Sequence, residues 1–160
     1  VLFYSGRNPA VKRLDLARAT MDAVVHLRPQ ARLQLMDGAV PPECVPVMMN
    51  AADCLLLTSD YEGSPTVVQE AKACNLPVVS VGVGDVARQL DGVANCHVVA
   101  SDVHELAEAV ADVLASGRRS DGARFLTDSD LETVARSTEQ LYRRLLERSR
   151  GSTSVAAGES

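Results

Sequence analysis

Short apolar runs alternate with amphipathic stretches along most of this chain, and that alternation restricts it to α/β architectures. Strand-like runs cover Val1–Ser5, Ala31–Met36, Cys54–Thr58, Pro77–Val81 and Cys96–Ala100. Between Val11 and Leu27, residues Leu14, Ala17, Met21, Val24 and Val25 recur at steps of mostly three or four, which predicts a helix that Pro29 terminates. Further helices are predicted at Val45–Asn50, from Ser64-Pro65 to Cys74, at Asp85–Leu90 and at Val103–Leu114, where Leu106, Val110, Val113 and Leu114 share a face. A long amphipathic helix follows from Leu131 to Arg148, with Leu131, Val134, Ala135, Leu141, Leu145 and Leu146 at core spacing. Strands separated by helices imply a parallel sheet covered on both faces. The runs at Cys54–Thr58 and Pro77–Val81 lack alternation, as strands buried on both sides do. The expectation is one three-layer α/β/α domain over residues 1–150, followed by a small, polar, disordered tail at 151–160. The chain opens directly on a strand-like run, without Met or a signal peptide, which predicts a piece excised from a longer polypeptide.

Composition removes several function classes. The longest apolar runs, such as Leu76–Val83, fall far short of the roughly 18 residues a membrane span requires. A net charge of −5 argues against a general nucleic-acid binder, which would carry a basic footprint. With 3% aromatic residues and no Trp, stacking platforms for bases or sugars are scarce. Cys44, Cys54, Cys74 and Cys96 form no CxxC pair and read as reduced thiols of a cytosolic protein. His26, His97 and His104 make no HExxH arrangement, so no metal site is expected. His26 lies at a helix end, where capping accounts for it.

In open parallel sheets, ligands bind beyond the carboxyl ends of the strands, near the point where strand order reverses. Chemistry is therefore expected after Ser5, after Thr58 and after Val81. The second of these segments runs from Thr58 through Glu62-Gly63-Ser64-Pro65-Thr66 to Glu70. Ser64 suits an N-cap and Pro65 a first helical position, so a helix with free backbone donors is predicted here. Gly63 allows close backbone approach. Free N–H groups and the helix dipole together favour an anion, best a phosphate. Glu62 precedes the helix and Glu70 lies two turns along it; a carboxylate beside a phosphate cradle is suited to ribose hydroxyls.

The first turn, Ser5-Gly6-Arg7-Asn8-Pro9-Ala10-Val11-Lys12-Arg13, has neither GxGxxG nor a P-loop. It does set Arg7 and Lys12 across the switch point from the Ser64 helix start, an arrangement suited to clamping a pyrophosphate. Gly82-Val83-Gly84 follows the fourth strand, where a dinucleotide fingerprint does not belong, and reads as a loop packed close to a ligand. Asp60 has the place of a receiver-domain phosphoacceptor, but Ser5-Gly6 and Ser101-Asp102 stand where receivers need an acidic pair and a lysine.

Taken together, Ser5-Gly6-Arg7 with Lys12, Ala51-Ala-Asp-Cys-Leu-Leu-Leu-Thr-Ser59, Tyr61-Glu-Gly-Ser-Pro65 with Glu70-Ala-Lys-Ala-Cys74, and Leu76-Pro-Val-Val-Ser80 resemble a GT-B glycosyltransferase. The likeness is to the C-terminal, nucleotide-sugar-binding half of the retaining "group 1" enzymes, glycosyltransferase family 4. It implies a Rossmann-like fold and transfer of a sugar from a nucleotide diphosphate sugar, UDP- or GDP-linked, with retention of configuration. It also implies roles. Arg7 and Lys12 would bind the diphosphate. The turn Gly63-Ser64-Pro65-Thr66, with Gly6 opposite, would line the phosphates and sugar. Glu70 would hold the ribose, and Glu62 would contact the donor sugar near the reacting carbon. No metal or other cofactor is implied, because cations and a helix dipole stabilise the leaving diphosphate. The partners implied are the sugar-nucleotide donor and an N-terminal acceptor-binding domain of the same polypeptide, without which the fragment would be inactive. Arg143, Arg144, Arg148 and Arg150 on the last helix would help tether the halves. The compartment implied is the cytoplasm, with any peripheral membrane contact made through the N-terminal domain.

Three departures from the family pattern stand out. Asn75 replaces the usual Gly after the Ala-x-Ala-Cys string, Gly84-Asp85 replaces Gly-Gly, and the stretch Asp37–Asp53 lacks the usual extra helix and edge strand. Five parallel strands in the order 2-1-3-4-5 are therefore expected, with a reduced or differently built wall beside the base. The alternative reading is a catalytically inactive nucleotide-binding or scaffold module. The joint presence of Arg7, Lys12, Glu62 and Glu70 favours the enzyme.

Overall fold

The computed structural model describes residues 1–6, 8–126, 133, 135–136 and 138–145, which fall into two units, Val1–Phe125 and Leu126–Ser160. In the first unit, β1 (Leu2–Gly6), β2 (Gln34–Asp37), β3 (Leu55–Leu57), β4 (Val78–Val81) and β5 (His97–Val99) form a parallel sheet. The strand order is β2-β1-β3-β4-β5, as the shortened Asp37–Asp53 stretch predicts. The chain steps outward from β1 to β2, then returns across β1 to β3, so the order reverses between β1 and β3. β3 and β4 are buried along their whole length, which explains their unbroken apolar sequence.

Helices cover both faces. α1 (Leu14–Leu27) and α5 (Val103–Ser116) pack on each other over one face, while α2 (Val45–Ala51) and α3 (Thr66–Ala73) cover the other. The short α4 (Val86–Gln89) leads from β4 toward β5. The predicted stripe of α5 is the observed one: Leu106, Val110 and Val113 are buried. Asp102 caps α5, its carboxylate accepting from the His104 and Glu105 amides. On α1 the stripe is Leu16, Ala17, Thr20, Met21 and Val24, and Val25 faces outward. α1 also starts three residues later than its periodicity suggests, because Arg13 takes a left-handed conformation (φ 53°) that ends the preceding turn. His26 bonds the Asp22 carbonyl at 2.7 Å in the last turn of α1.

Two unusual packings close the far end of the sheet. Asn75 is left-handed (φ 50°), as expected of the residue replacing glycine, and its side chain accepts from the Ala123 amide at 2.9 Å. Lys72 is only 5% exposed and donates to the Phe125 carbonyl at 3.4 Å, with Gly122 packed against its backbone. All four cysteines are free.

In the second unit, residues 133, 135–136 and 138–145 are helical, and Arg143 pairs with Glu139 at 2.7 Å. Leu141 and Leu145, at core spacing in the sequence, are about half exposed there. Leu131, Val134, Leu146, Arg148, Arg150 and the 151–160 tail lie outside the described residues.

Candidate functional site

The carboxyl ends of β1 and β3 meet at the strand reversal, and the loop 8–13 is fastened across them. The Asp60 amide donates to the Val11 carbonyl at 3.0 Å. The Thr58 hydroxyl lies 2.9 and 3.0 Å from the carbonyls of Lys12 and Arg13. Arg13 closes the clasp through Asp60 and Asp15, each at 3.0 Å, and holds the Asp15 carboxyl below the usual carboxylate range. So fixed, Lys12 sends its ammonium to Glu62, 2.5 Å away, with the Tyr4 ring 5.6 Å to its side. Both partners are largely sheltered, Lys12 at 18% and Glu62 at 13% side-chain exposure. Gly6 ends β1 beside Asp37 of β2. Arg7 lies outside the described residues.

The turn into α3 differs from expectation in its cap. α3 begins at Thr66 with Pro65 in the cap position, so Ser64 makes no capping bond. Ser64 is drawn away instead, its hydroxyl accepting from the Gln89 amide at 3.1 Å. The Val68 amide bonds the Pro65 carbonyl at 3.1 Å, so the open donors predicted for this turn reduce to the Thr66 and Val67 amides, which have no intrahelical carbonyl. The glycine loop after β4 also has a different neighbour. Gly84 (φ 53°) packs on protein backbone: a Cβ there would run into the Gly63 oxygen and lie 2.7 Å from that of Glu62. The Asp85 amide donates to the Gly63 carbonyl at 3.1 Å. Gln89 and Arg88 hold the Asp85 carboxyl below its usual range. A Cβ on Gly63 itself would meet nothing within 4 Å, so the side its side chain would occupy is open although its carbonyl is engaged.

Because α3 starts only at Thr66, Glu70 lies about one turn along it and not two, and it borders a cavity of about 350 Å³, whose walls include Tyr4, Asp37, Val40, Thr66 and Cys74. Partial burial raises the Glu70 carboxyl above its ordinary range. The opposite wall is the stretch that replaces the missing helix and strand. It comprises Gly38 and Val40, a 3-10 turn (Pro42–Cys44) and α2, which contributes Val45, Pro46 and Met49. Arg119 ties the ends of both wall helices together, reaching the carbonyls of Ala52 (2.6 Å), Cys74 (2.9 Å) and Met49 (3.3 Å).

Thr66 and Glu70 thus line the cavity itself, and the Lys12–Glu62 pair adjoins it through Tyr4, whose ring lies under the Lys12 ammonium. The sequence reading missed Thr58, Arg13, Asp60 and Arg119. Thr58 and Arg119 work through backbone carbonyls remote in sequence, and Arg13 pairs with Asp60 47 residues on, contacts that no motif encodes. Among the described residues, no group of three or more His, Cys, Asp or Glu could hold a metal ion, and no helix is long and apolar enough to cross a membrane.

Residues 31–124 match the family model described as "Glycosyl transferases group 1". Two curated glycogen synthases, from Mycobacterium tuberculosis strains CDC 1551 and H37Rv, are each 34% identical over 102 residues, which is 59% of this chain. The chain spans about a quarter of the length of each. Among solved structures, sucrose-phosphate synthase from Thermosynechococcus elongatus superposes with a TM-score of 0.65 at 26% identity, over 92% of this chain and 38% of that one. AviGT4, a glycosyltransferase of avilamycin A biosynthesis, gives 0.65 at 22% identity, over 91% and 51%. A Staphylococcus aureus TarM mutant, in complex with Fondaparinux, alpha-GlcNAc-glycerol and UDP, gives 0.72 at 14% identity, over 88% and 35%.

Proposed function

The chain belongs to the group 1 glycosyl transferases, and we propose that it is the donor-binding half of a family 4 enzyme that moves a sugar from a nucleoside diphosphate to an acceptor with retention. The observation that carries this reading is the Lys12–Glu62 pair, whose ammonium lies over the ring of Tyr4, a wall residue of the cavity that Glu70 borders. In transfer, the bond from the sugar's anomeric carbon to the diphosphate oxygen breaks, and its electron pair leaves with the diphosphate. The acceptor hydroxyl oxygen forms the new bond, and its proton passes to the departing phosphate or to solvent.

Each residue has a share. Lys12 and Arg7 neutralise the negative charge that grows on the leaving diphosphate, and the amides that open α3 donate to the same oxygens. Charge that develops only in the transition state makes these contacts stronger there than in the ground state. Glu62 stands beside Lys12 and takes hydroxyls of the donor sugar near the reacting carbon. Glu70 accepts from the ribose. Gly6, Gly63, Ser64, Pro65 and Thr66 shape the backbone between them. Cationic and amide stabilisation of the leaving group leaves the reaction independent of a metal. The acceptor is held by an N-terminal domain, and the 160-residue chain alone is inactive in transfer. The compartment is the cytoplasm.

Binding tests this directly. In an amide-resolved NMR titration with UDP, GDP and ADP and no added metal, at least one nucleotide shifts Arg7, Lys12, Gly63, Thr66 and Glu70 together. If no nucleotide shifts them at millimolar concentration, the donor-site reading fails for this chain.

A further inference from the structure

The cavity beside Glu70 is unequal in its hydrogen-bonding groups, and the inequality bears on the base. At the Glu70 end stand the Thr66 hydroxyl and the open start of α3. Tyr4 also lines the cavity, with the Lys12 ammonium over its ring. The far end is built from Asp37, Gly38, Val40, Pro42, Pro46 and Met49. There four of the loop's amides are already engaged. Ala39 donates to Asp37 Oδ1 at 3.0 Å, Val40 to the Asp37 carbonyl at 3.3 Å, Cys44 to the Pro41 carbonyl at 2.9 Å, and Val45 to Pro42. Pro41, Pro42 and Pro46 have no amide hydrogen to give. The side chains at this end supply no donor either, while the Asp37 carboxylate supplies two acceptor oxygens, one already taking the Ala39 amide and able to accept again.

We infer that this cavity selects a guanine base, so that the donor is a guanosine diphosphate sugar and Asp37 is its specificity-determining residue. The inference rests on the donor-site reading above. Guanine presents two adjacent donors, N1–H and the N2 amino group, which meet a carboxylate as a paired, charge-assisted contact. Uracil presents one N–H between two carbonyl acceptors, and at a wall with no side-chain donor and most of its loop amides engaged those acceptors find fewer partners than the Asp37 carboxylate offers guanine. Adenine offers a single amino group beside a ring acceptor and falls between. A site built to pair polar groups discriminates strongly against a base that leaves them unpaired. The valine, proline and methionine side chains of the wall supply the apolar face against which a purine lies. The Staphylococcus aureus neighbour holds UDP, but at 14% identity it shares the fold and not this wall.

Titrating the 160-residue chain with GDP, ADP, UDP and inorganic pyrophosphate, by calorimetry and amide NMR, tests the inference. GDP should bind at least tenfold more tightly than UDP. Asp37→Asn keeps an oxygen for the Ala39 amide and so preserves the turn, yet replaces one acceptor with a donor. It should lower GDP affinity about tenfold or more and leave UDP and pyrophosphate within twofold. UDP binding as tightly as GDP to the unaltered chain, or equal losses for all three nucleotides in the variant, would overturn guanine selection and leave the donor site standing. If pyrophosphate and every nucleotide fail to bind, the donor-site reading itself falls, and the base assignment falls with it.

Discussion

The ammonium of Lys12 lies 2.5 Å from the carboxylate of Glu62, so the group assigned to the diphosphate is already satisfied by the group assigned to the sugar. On the proposed assignment a donor entering the groove would part them: the diphosphate would replace Glu62 on Lys12, and the released carboxylate would turn to the sugar hydroxyls. Binding of phosphate and exposure of Glu62 are therefore linked. Glu62→Gln removes the competitor and should tighten pyrophosphate binding several-fold while abolishing transfer in the full enzyme. Lys12→Ala should weaken pyrophosphate by tenfold or more. Calorimetric titration of the two variants measures both, and a Glu62→Gln variant that binds pyrophosphate more weakly contradicts the linkage.

Gly84 supports that pair from behind. Its left-handed backbone and the closeness of the Glu62 and Gly63 carbonyls leave no room for the methyl group of alanine. Left-handed strain of about 1–2 kcal/mol adds to about 1–3 kcal/mol for the overpacked contact. Gly84→Ala should therefore destabilise the fold by roughly 2–5 kcal/mol in chemical denaturation. It should also displace the NMR signals of Glu62, Gly63 and Asp85 in the folded protein.

Much of this was legible from residue pattern alone, and the reason is the sheet. Strands such as Leu55–Leu57 and Val78–Val81 are buried on both faces, so their sequences can only be apolar, and the helices between them show their period plainly. Local contacts were less accessible. Ser64 looked like a cap because it precedes a proline, yet the Gln89 side chain, 25 residues on, takes its hydroxyl. Arg119 resembles any surface arginine until α2 and α3 are folded and three carbonyls converge on it. The glycines after β4 read as a loop packed close to a ligand, whereas in the fold Gly84 packs on the Glu62–Gly63 backbone.

Arg119 makes the cavity wall a single unit, since it joins the carbonyl ends of the two helices between which a nucleoside would lie. Arg119→Lys keeps the charge but cannot reach Ala52, Met49 and Cys74 at once. Loss of the bridging bonds should cost about 1–3 kcal/mol in denaturation. It should loosen α2 relative to α3, seen as faster amide exchange at Met49 and Cys74. Nucleotide affinity should fall while pyrophosphate affinity holds, because Lys12 lies outside the clamp.

Lys72 gives the fold a pH dependence in the alkaline range. Burial disfavours its charged form and lowers its pKa beneath the ordinary lysine value of 10.5. Between the lowered value and 10.5 the unfolded chain holds a proton that the folded chain has released, so this group makes stability rise with pH across that window. Below the window the folded protein carries a sheltered ammonium with the Phe125 carbonyl at 3.4 Å as its hydrogen-bond acceptor, and the charge costs stability. Lys72→Met keeps the length of the side chain and removes the charge. It should raise stability at pH 7 by about 1–3 kcal/mol and remove the Lys72 contribution to the alkaline slope. Denaturation midpoints for both proteins between pH 7 and pH 10.5 check this, and a variant less stable than the parent at pH 7 would show that the Phe125 contact outweighs the burial of charge.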